Sequence, residues 1–285
     1  MHIIGGTASK TIAEDLSKEL NANLAKTISK RFPDDELYVR ILDDVSGEDV
    51  VIVQTTYPDK NIIELFLLQD AAKEANADKI IVVIPYFGYG RQDKKFEQGE
   101  PISAKAIAGL IGSNADKIIT VDPHKPHLLD FFNVSAISCS AVPELAKYLK
   151  EKNVDTVLAP DKGALQRAKQ ASSIINCDFD YMEKTRHDAT TVEIKPKNLD
   201  VKDKKVAIID DIISTGGTMA LSIKELKKQG AKQVFVACTH GLFAGEAVKK
   251  IISAGCNEII STDTIQSDFS KVKIAPCISD ILFSK

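Results

Sequence analysis

An α/β fold built on open, mainly parallel sheets is what this sequence predicts, on three observations: strand-sized runs of consecutive aliphatic residues, helix-period segments between them, and polar stretches at the carboxyl ends of the runs. A strand covered on both faces shows no polar alternation, so consecutive apolar positions point to parallel strands flanked by helices. The first run is 50–53, followed by Ile62, Leu65, Phe66 and 69–72 at helical spacing. The run 80–84 comes next, covered by 107–111, and then 118–121 and 134–137. Pro143 opens a new helix after that strand. Beyond it lie 157–159, 206–209 with the helical 221–226, and 234–237. The stretches starting at Asn76 and Asn114 share NADKII, 38 residues apart, the span of one strand-helix unit and not the mark of a repeat array. With 285 residues the chain is long for a single core, and we expect two domains, 1–142 and 143–285.

Composition narrows the function. The formal net charge of −3 gives no attraction for a phosphate backbone, so nucleic acid is not an expected partner. No apolar run approaches the roughly 18 residues of a membrane span, and the start, MHIIGGTASK, has no basic stretch leading into an apolar one. Five scattered cysteines, without the spacing of a zinc or redox motif, read as free thiols in a reducing cytoplasm. No P-loop is present, and GYGRQD does not complete a dinucleotide-binding fingerprint.

In open parallel sheets, ligands bind beyond the carboxyl ends of the strands. There the sequence places PYFGYGRQDKK after Ile84, DPHKPH after Val121, PDKG after Ala159, DDIISTGGT after Ile209 and THG after Cys238. In VAIIDDIISTGGT (206–218), Gly216 and Gly217 let backbone N–H groups turn inward at the positive end of a following helix, while Ser214, Thr215 and Thr218 add hydroxyls. That is a cradle for a phosphate monoester. Asp210 and Asp211 only accept hydrogen bonds and cannot hold phosphate; they suit sugar hydroxyls, or a bridging Mg²⁺. Together these features point to ribose 5-phosphate.

The stretch 206–218 resembles the loop that type I phosphoribosyltransferases and ribose-phosphate pyrophosphokinases share for phosphoribosyl pyrophosphate. FPDDELYVRI (32–41), VIPYFGYGRQDKK (83–95), EPISAKAIAGLI (100–111), TVDPHKPHLLDFF (120–132), APDKGALQRAK (159–169), EKTRHDATTVE (183–193) and THGLFAG (239–245) resemble the pyrophosphokinases in kind and order along nearly the whole chain. The resemblance implies two similar phosphoribosyltransferase-like domains, each a mainly parallel sheet flanked by helices. It also implies transfer of a pyrophosphoryl group from ATP to the 1-hydroxyl of ribose 5-phosphate, giving phosphoribosyl pyrophosphate and AMP.

By matching position, the resemblance implies that Phe32, Asp34, Asp35 and Glu36 belong to an adenine site reached from a neighbouring subunit, so the assembly is at least a dimer. Arg91 and Gln92 would contact ATP, and His124 and Asp161 would support Mg²⁺. Lys184 and Arg186 would lie on a mobile catalytic loop, with Arg186 also near the sugar phosphate. Asp210, Asp211, Ser214, Thr215, Gly216, Gly217 and Thr218 would bind ribose 5-phosphate. Pyrophosphoryl transfer concentrates negative charge, so cations matter more than a strong base. EKTRHDATT is polar throughout and is expected to order around nucleotide. The sequence departs from the family at Ser214, where many members carry an acid, at Ala164, where a second glycine is frequent, and at His127. Two alternatives are a type I phosphoribosyltransferase, which needs neither RQD nor FPDDE, and a non-catalytic regulator associated with a synthase, which would commonly have lost the cations.

Overall fold

The computed structural model describes residues 1–186, 192–196 and 199–283, with 184–186 and 192–195 described by their backbone alone. The described chain has the expected α/β architecture and divides into two compact units.

The first unit runs from Met1 to Ser140 and is joined by Thr264–Gln266 and the segment from Ile274. Its elements in order are β1 (His2–Gly5), α1 (Lys10–Leu20), β2 (Asn23–Leu24), the hairpin β3 (Thr27–Arg31) and β4 (Leu37–Ile41), β5 (Asp49–Val53), α2 (Lys60–Glu74), β6 (Lys79–Ile84), α3 (Ser103–Gly112), β7 (Lys117–Val121) and β8 (Ser135–Cys139). The six-stranded sheet has the order β2-β1-β5-β6-β7-β8, every pair parallel. Its aliphatic runs are buried on both faces, as consecutive apolar positions require: Val50, Val51, Ile52 and Val53 are all fully buried. Val50, Ile52, Val82 and Ile84 pack against Leu65, Leu68 and Ala72 of α2 and Ala104, Ala108 and Ile111 of α3. β1 has only two consecutive isoleucines, too short a run to stand out in the sequence, yet Ile3 and Ile4 are both fully buried. The hairpin β3–β4 is a separate antiparallel pair resting on α2.

The second unit, Ala141–Asp263 with Ser267–Lys273, contains α4 (Val142–Glu151), β9 (Thr156–Ala159), α5 (Leu165–Ile175), β10 (Asp178–Arg186), β11 (Val192–Pro196), β12 (Lys205–Ile213), α6 (Gly217–Lys228), β13 (Gln233–Gly241), α7 (Ala247–Ser253), β14 (Glu258–Thr262) and β15 (Ser270–Val272). The sheet order is β11-β10-β9-β12-β13-β14-β15, parallel except for the antiparallel β10–β11 pair at one edge. Alternation along β12 sends Ala207 and Ile209 into a core with α4 and α5, and Val206 and Ile208 into the opposite core with α6 and α7. In both sheets the strand order reverses beside the first strand, between β1 and β5 and between β9 and β12, and such reversals open a crevice at the carboxyl edge.

One feature departs from the expected domain 143–285. The C-terminal helix α8 (Ala275–Phe283) packs against α1 and β8 of the first unit. It buries Ala275, Cys277 and Ile278 there, with Cys277 Sγ 3.4 Å from Cys139 Sγ. No proline- or glycine-rich linker marks this return, so local sequence had nothing to show for it.

Candidate active site

The second unit's crevice is built by β12 and the turn that follows it. Asp210 and Asp211 are the last acids on the strand, and alternation puts them on opposite faces. Asp211, on the α5 face, is only 5 % exposed and pairs with Arg167 of α5, Nη2 to Oδ2 3.3 Å. Asp210 Oδ1 accepts the Asp211 backbone N–H at 2.9 Å. Burial, followed by the negative Asp211 beside it, pushes the Asp210 carboxyl up to about 8.

Ile213 and Ser214 are held in the turn by the backbone after β13: Leu242 N donates to Ile213 O at 3.0 Å and Ala244 N to Ser214 O at 3.0 Å. Gly216 then adopts φ 71°, and an added Cβ would lie 2.9 Å from the Ala247 carbonyl oxygen, so both conformation and close approach demand glycine. Gly217 differs: a Cβ there would meet nothing within 4 Å. That open space sits at the start of α6, whose first turn has neither a side-chain cap nor an acid to answer its N–H groups. Thr215 and Thr218 are exposed around it. The arrangement can hold an anion at the helix end, with acceptors for hydroxyl groups one turn earlier.

On the same edge, β9 leads to Asp161, whose Oδ1 accepts from Gly163 N at 2.7 Å and Ala164 N at 3.3 Å. Both of its hydrogen bonds use Oδ1, and the residue is exposed, which fits a hard divalent cation that takes one or two carboxylates and keeps several waters. Among the described residues, no group of three or more His, Cys, Asp or Glu side chains is placed to hold a metal ion. The resemblance implies a loop at Lys184 and Arg186; their backbones instead form the end of β10, paired with Ile194 and Val192 of β11. β10 pairs with β9 from Asp178 opposite Thr156 as far as Tyr181 opposite Ala159, so the strand carries Lys184 beyond that neighbour's carboxyl end. The rest of the expected loop, 187–191, lies outside the described residues.

The first unit gathers Arg91, Gln92 and His124 beyond β6 and β7. Arg91 is exposed. Gln92 is tied to the start of α3, its carbonyl accepting from Ala104 N at 3.2 Å and its side-chain oxygen from the Ser103 hydroxyl. His127 Nε2 lies 3.1 Å from Asp93 Oδ2, linking the two loops. His124 and Asp161 belong to different units. Phe32, Asp34, Asp35 and Glu36 form the tip of the β3–β4 hairpin. Phe32 is no core aromatic: it is 46 % exposed, with Tyr38 edge-on at 5.8 Å between ring centroids. The tip is shaped by Phe32 N donating to Glu36 O at 2.8 Å and by Asp35 at φ 70°. Sequence reasoning missed Arg167 and Asp93. A basic residue in the first turn of a helix, where acids are favoured, was the available signal for Arg167.

Comparison with known proteins accounts for both units. Residues 1–114 match the N-terminal domain of ribose phosphate pyrophosphokinase, and residues 137–272 match the phosphoribosyl transferase domain. A ribose-phosphate pyrophosphokinase from Methanothermobacter thermautotrophicus is 41 % identical over 98 % of this chain and 99 % of its own. The one from Sulfolobus acidocaldarius is 43 % identical over 96 % of each chain. The crystal structure of phosphoribosylpyrophosphate synthetase from Mycobacterium smegmatis aligns with a TM-score of 0.85 at 28 % identity, covering 99 % of this chain and 97 % of its own. With both halves matched in order and full-length relatives above 40 % identity, the chain belongs to the ribose-phosphate pyrophosphokinase family.

Proposed function

We propose that this protein transfers the pyrophosphoryl group of ATP to the 1-hydroxyl of ribose 5-phosphate, giving phosphoribosyl pyrophosphate and AMP. The observation that carries the reading is the turn after β12, an open helix end for phosphate next to two fixed carboxylates for ring hydroxyls. The 5-phosphate sits over Gly217 and Thr218 with Ser214 and Thr215 around it, and Asp210 and Asp211 accept from the sugar. The 1-hydroxyl oxygen bonds to the β-phosphorus, the bond from that phosphorus to the α,β-bridging oxygen breaks, AMP leaves with that oxygen, and the hydroxyl proton passes to solvent.

ATP is bound by Arg91 and Gln92, with Phe32, Asp34, Asp35 and Glu36 supplied from a neighbouring copy, and Lys184 and Arg186 bring positive charge to the transferring group. Asp161 would hold Mg²⁺, with His124 in support, and the ion would supply charge neutralisation on the triphosphate. A type I phosphoribosyltransferase would account for residues 137–272 and leave 1–114 without a purpose. The place of work is the cytoplasm, in keeping with cysteines that are all free thiols; no helix among the described residues is long and apolar enough to cross a membrane.

The deciding experiment is a coupled assay for AMP. Formation from ATP and Mg²⁺ only when ribose 5-phosphate is added is the expected result, and AMP formation independent of the sugar phosphate removes the proposal. Light scattering of the active protein should give a mass of at least two chains, since the hairpin tip serves a neighbour's site; a fully active monomer removes that part.

A further inference from the structure

Arg167 sits third in α5, in the first turn of a helix, where the partial positive charge of the N-terminus disfavours a cation. Its side chain is only 21 % exposed, so solvent does little to relieve the conflict. A local rule broken in this way, with a buried partner to offset it, marks a position kept for something other than helix stability. The partner is Asp211, 3.3 Å away, with its side chain 7 % exposed. α5 packs against β9, β10 and β12, the three strands whose ends carry Asp161, Lys184 with Arg186, and Asp210 with Asp211. Arg167 is thus on a helix that touches the three strands carrying these acids and cations.

We infer that Arg167 is a positioning residue: its guanidinium fixes the Asp211 carboxylate in one orientation so that it can accept a ring hydroxyl of the sugar phosphate. This rests on the function proposed above. Asp210 takes a different donor, its Oδ1 accepting the Asp211 backbone N–H, whereas the Asp211 carboxylate meets the Arg167 side chain. A planar guanidinium restrains a carboxylate in direction as well as distance, which an ammonium does less well. Arg167 needs no contact with substrate for this role.

The test is a kinetic cycle on the full chain with Arg167→Gln, Arg167→Lys, Asp211→Asn and the double variant Arg167→Gln/Asp211→Asn. Calorimetry of ribose 5-phosphate binding accompanies steady-state AMP formation. Arg167→Gln should raise KM for ribose 5-phosphate by about tenfold, with kcat and the KM for ATP changed by less than about threefold, because a ground-state binding contact is lost. Arg167→Lys should recover only part of that loss, because an ammonium restores the charge but restrains the carboxylate's direction less well. On the Asp211→Asn background Arg167→Gln should add less than about twofold, because both changes remove one interaction.

An ion pair serving only the fold would lower Tm and leave the KM for ribose 5-phosphate unchanged in Arg167→Gln; that result, or a tenfold loss that persists without the Asp211 charge, overturns the inference. Should the single Gln variant fail to fold, the double variant, in which the Asp211 charge is removed as well, still decides by comparison with Asp211→Asn. Calorimetry separates the two levels of the proposal: a wild-type protein that binds ribose 5-phosphate without forming AMP refutes the reaction, while the Arg167 effect on that binding is still read directly.

Discussion

Asp210 carries the electrostatic strain of the site. Its carboxyl is pushed up to about 8 by burial and then by Asp211, whereas in the unfolded chain it titrates near 3.8. Between those values the folded protein holds a proton that the unfolded chain has lost, so stability contributed by this group is complete below about pH 4 and declines as pH rises towards 8. Asp210→Asn removes the titration. Its Tm should therefore gain on that of the wild type as pH rises from 5 to 8, and a constant Tm difference in unfolding scans across that range contradicts the assignment. The same substitution should raise KM for ribose 5-phosphate roughly 2- to 10-fold at neutral pH, the worth of a hydrogen bond made by an acid that still holds its proton, with the KM for ATP little changed. At this scale the sequence was informative wherever a motif is continuous: 210–218 could be read in one piece. It was blind to Arg167 opposite Asp211 and to Asp93 opposite His127, because each pair meets only when separate elements come together.

The turn between β12 and α6 separates two glycines that look equivalent in sequence. Gly216 is fixed by its left-handed backbone and by the Ala247 carbonyl, so Gly216→Val should lower Tm and impair ribose 5-phosphate use together, the backbone conformation alone costing about 1–2 kcal/mol. Gly217 faces open space at the first position of α6, where alanine favours the helix. Gly217→Ala should leave Tm unchanged or slightly raised and still raise KM for ribose 5-phosphate, since a methyl group would fill the space assigned to phosphate. Unchanged KM in that variant would move the phosphate elsewhere.

β10 and β11 supply the second case at this scale. The run EKTRHDATT lacks the aliphatic residues that revealed the parallel strands, so nothing in its pattern announced that the backbone of Lys184 and Arg186 forms an edge ladder. Lys184→Ala should lower kcat by about 10² to 10³ with smaller changes in either KM, the expected loss for one donor at developing charge. Arg186→Ala should behave similarly and the pair should be non-additive; a normal kcat in Lys184→Ala would make the ladder merely structural.

Across the whole molecule, the chain leaves the first unit after Ser140 and comes back twice, at Thr264–Gln266, where Thr55 Oγ1 donates to Thr264 O at 2.6 Å, and again from Ile274. Alternating strands and helices revealed two sheets, because that pattern is local. Which sheet receives the final helix is decided by tertiary packing, and APCISDILF reads equally well as the last helix of either half. The consequence is that the end of the sequence stabilises its beginning. Ile278 is fully buried on α8, which packs against α1 and β8, and Ile278→Ala should cost about 2–5 kcal/mol by removing methyl groups from a close-packed contact. Hydrogen exchange resolves where that cost falls. Peptides from α1 and β8 should lose protection while those from β12 and β13 keep theirs, since sub-global opening follows packed units and not sequence order. Equal loss in both sets would mean that the two units unfold as one, and loss confined to β12 and β13 would mean that α8 supports the second unit after all.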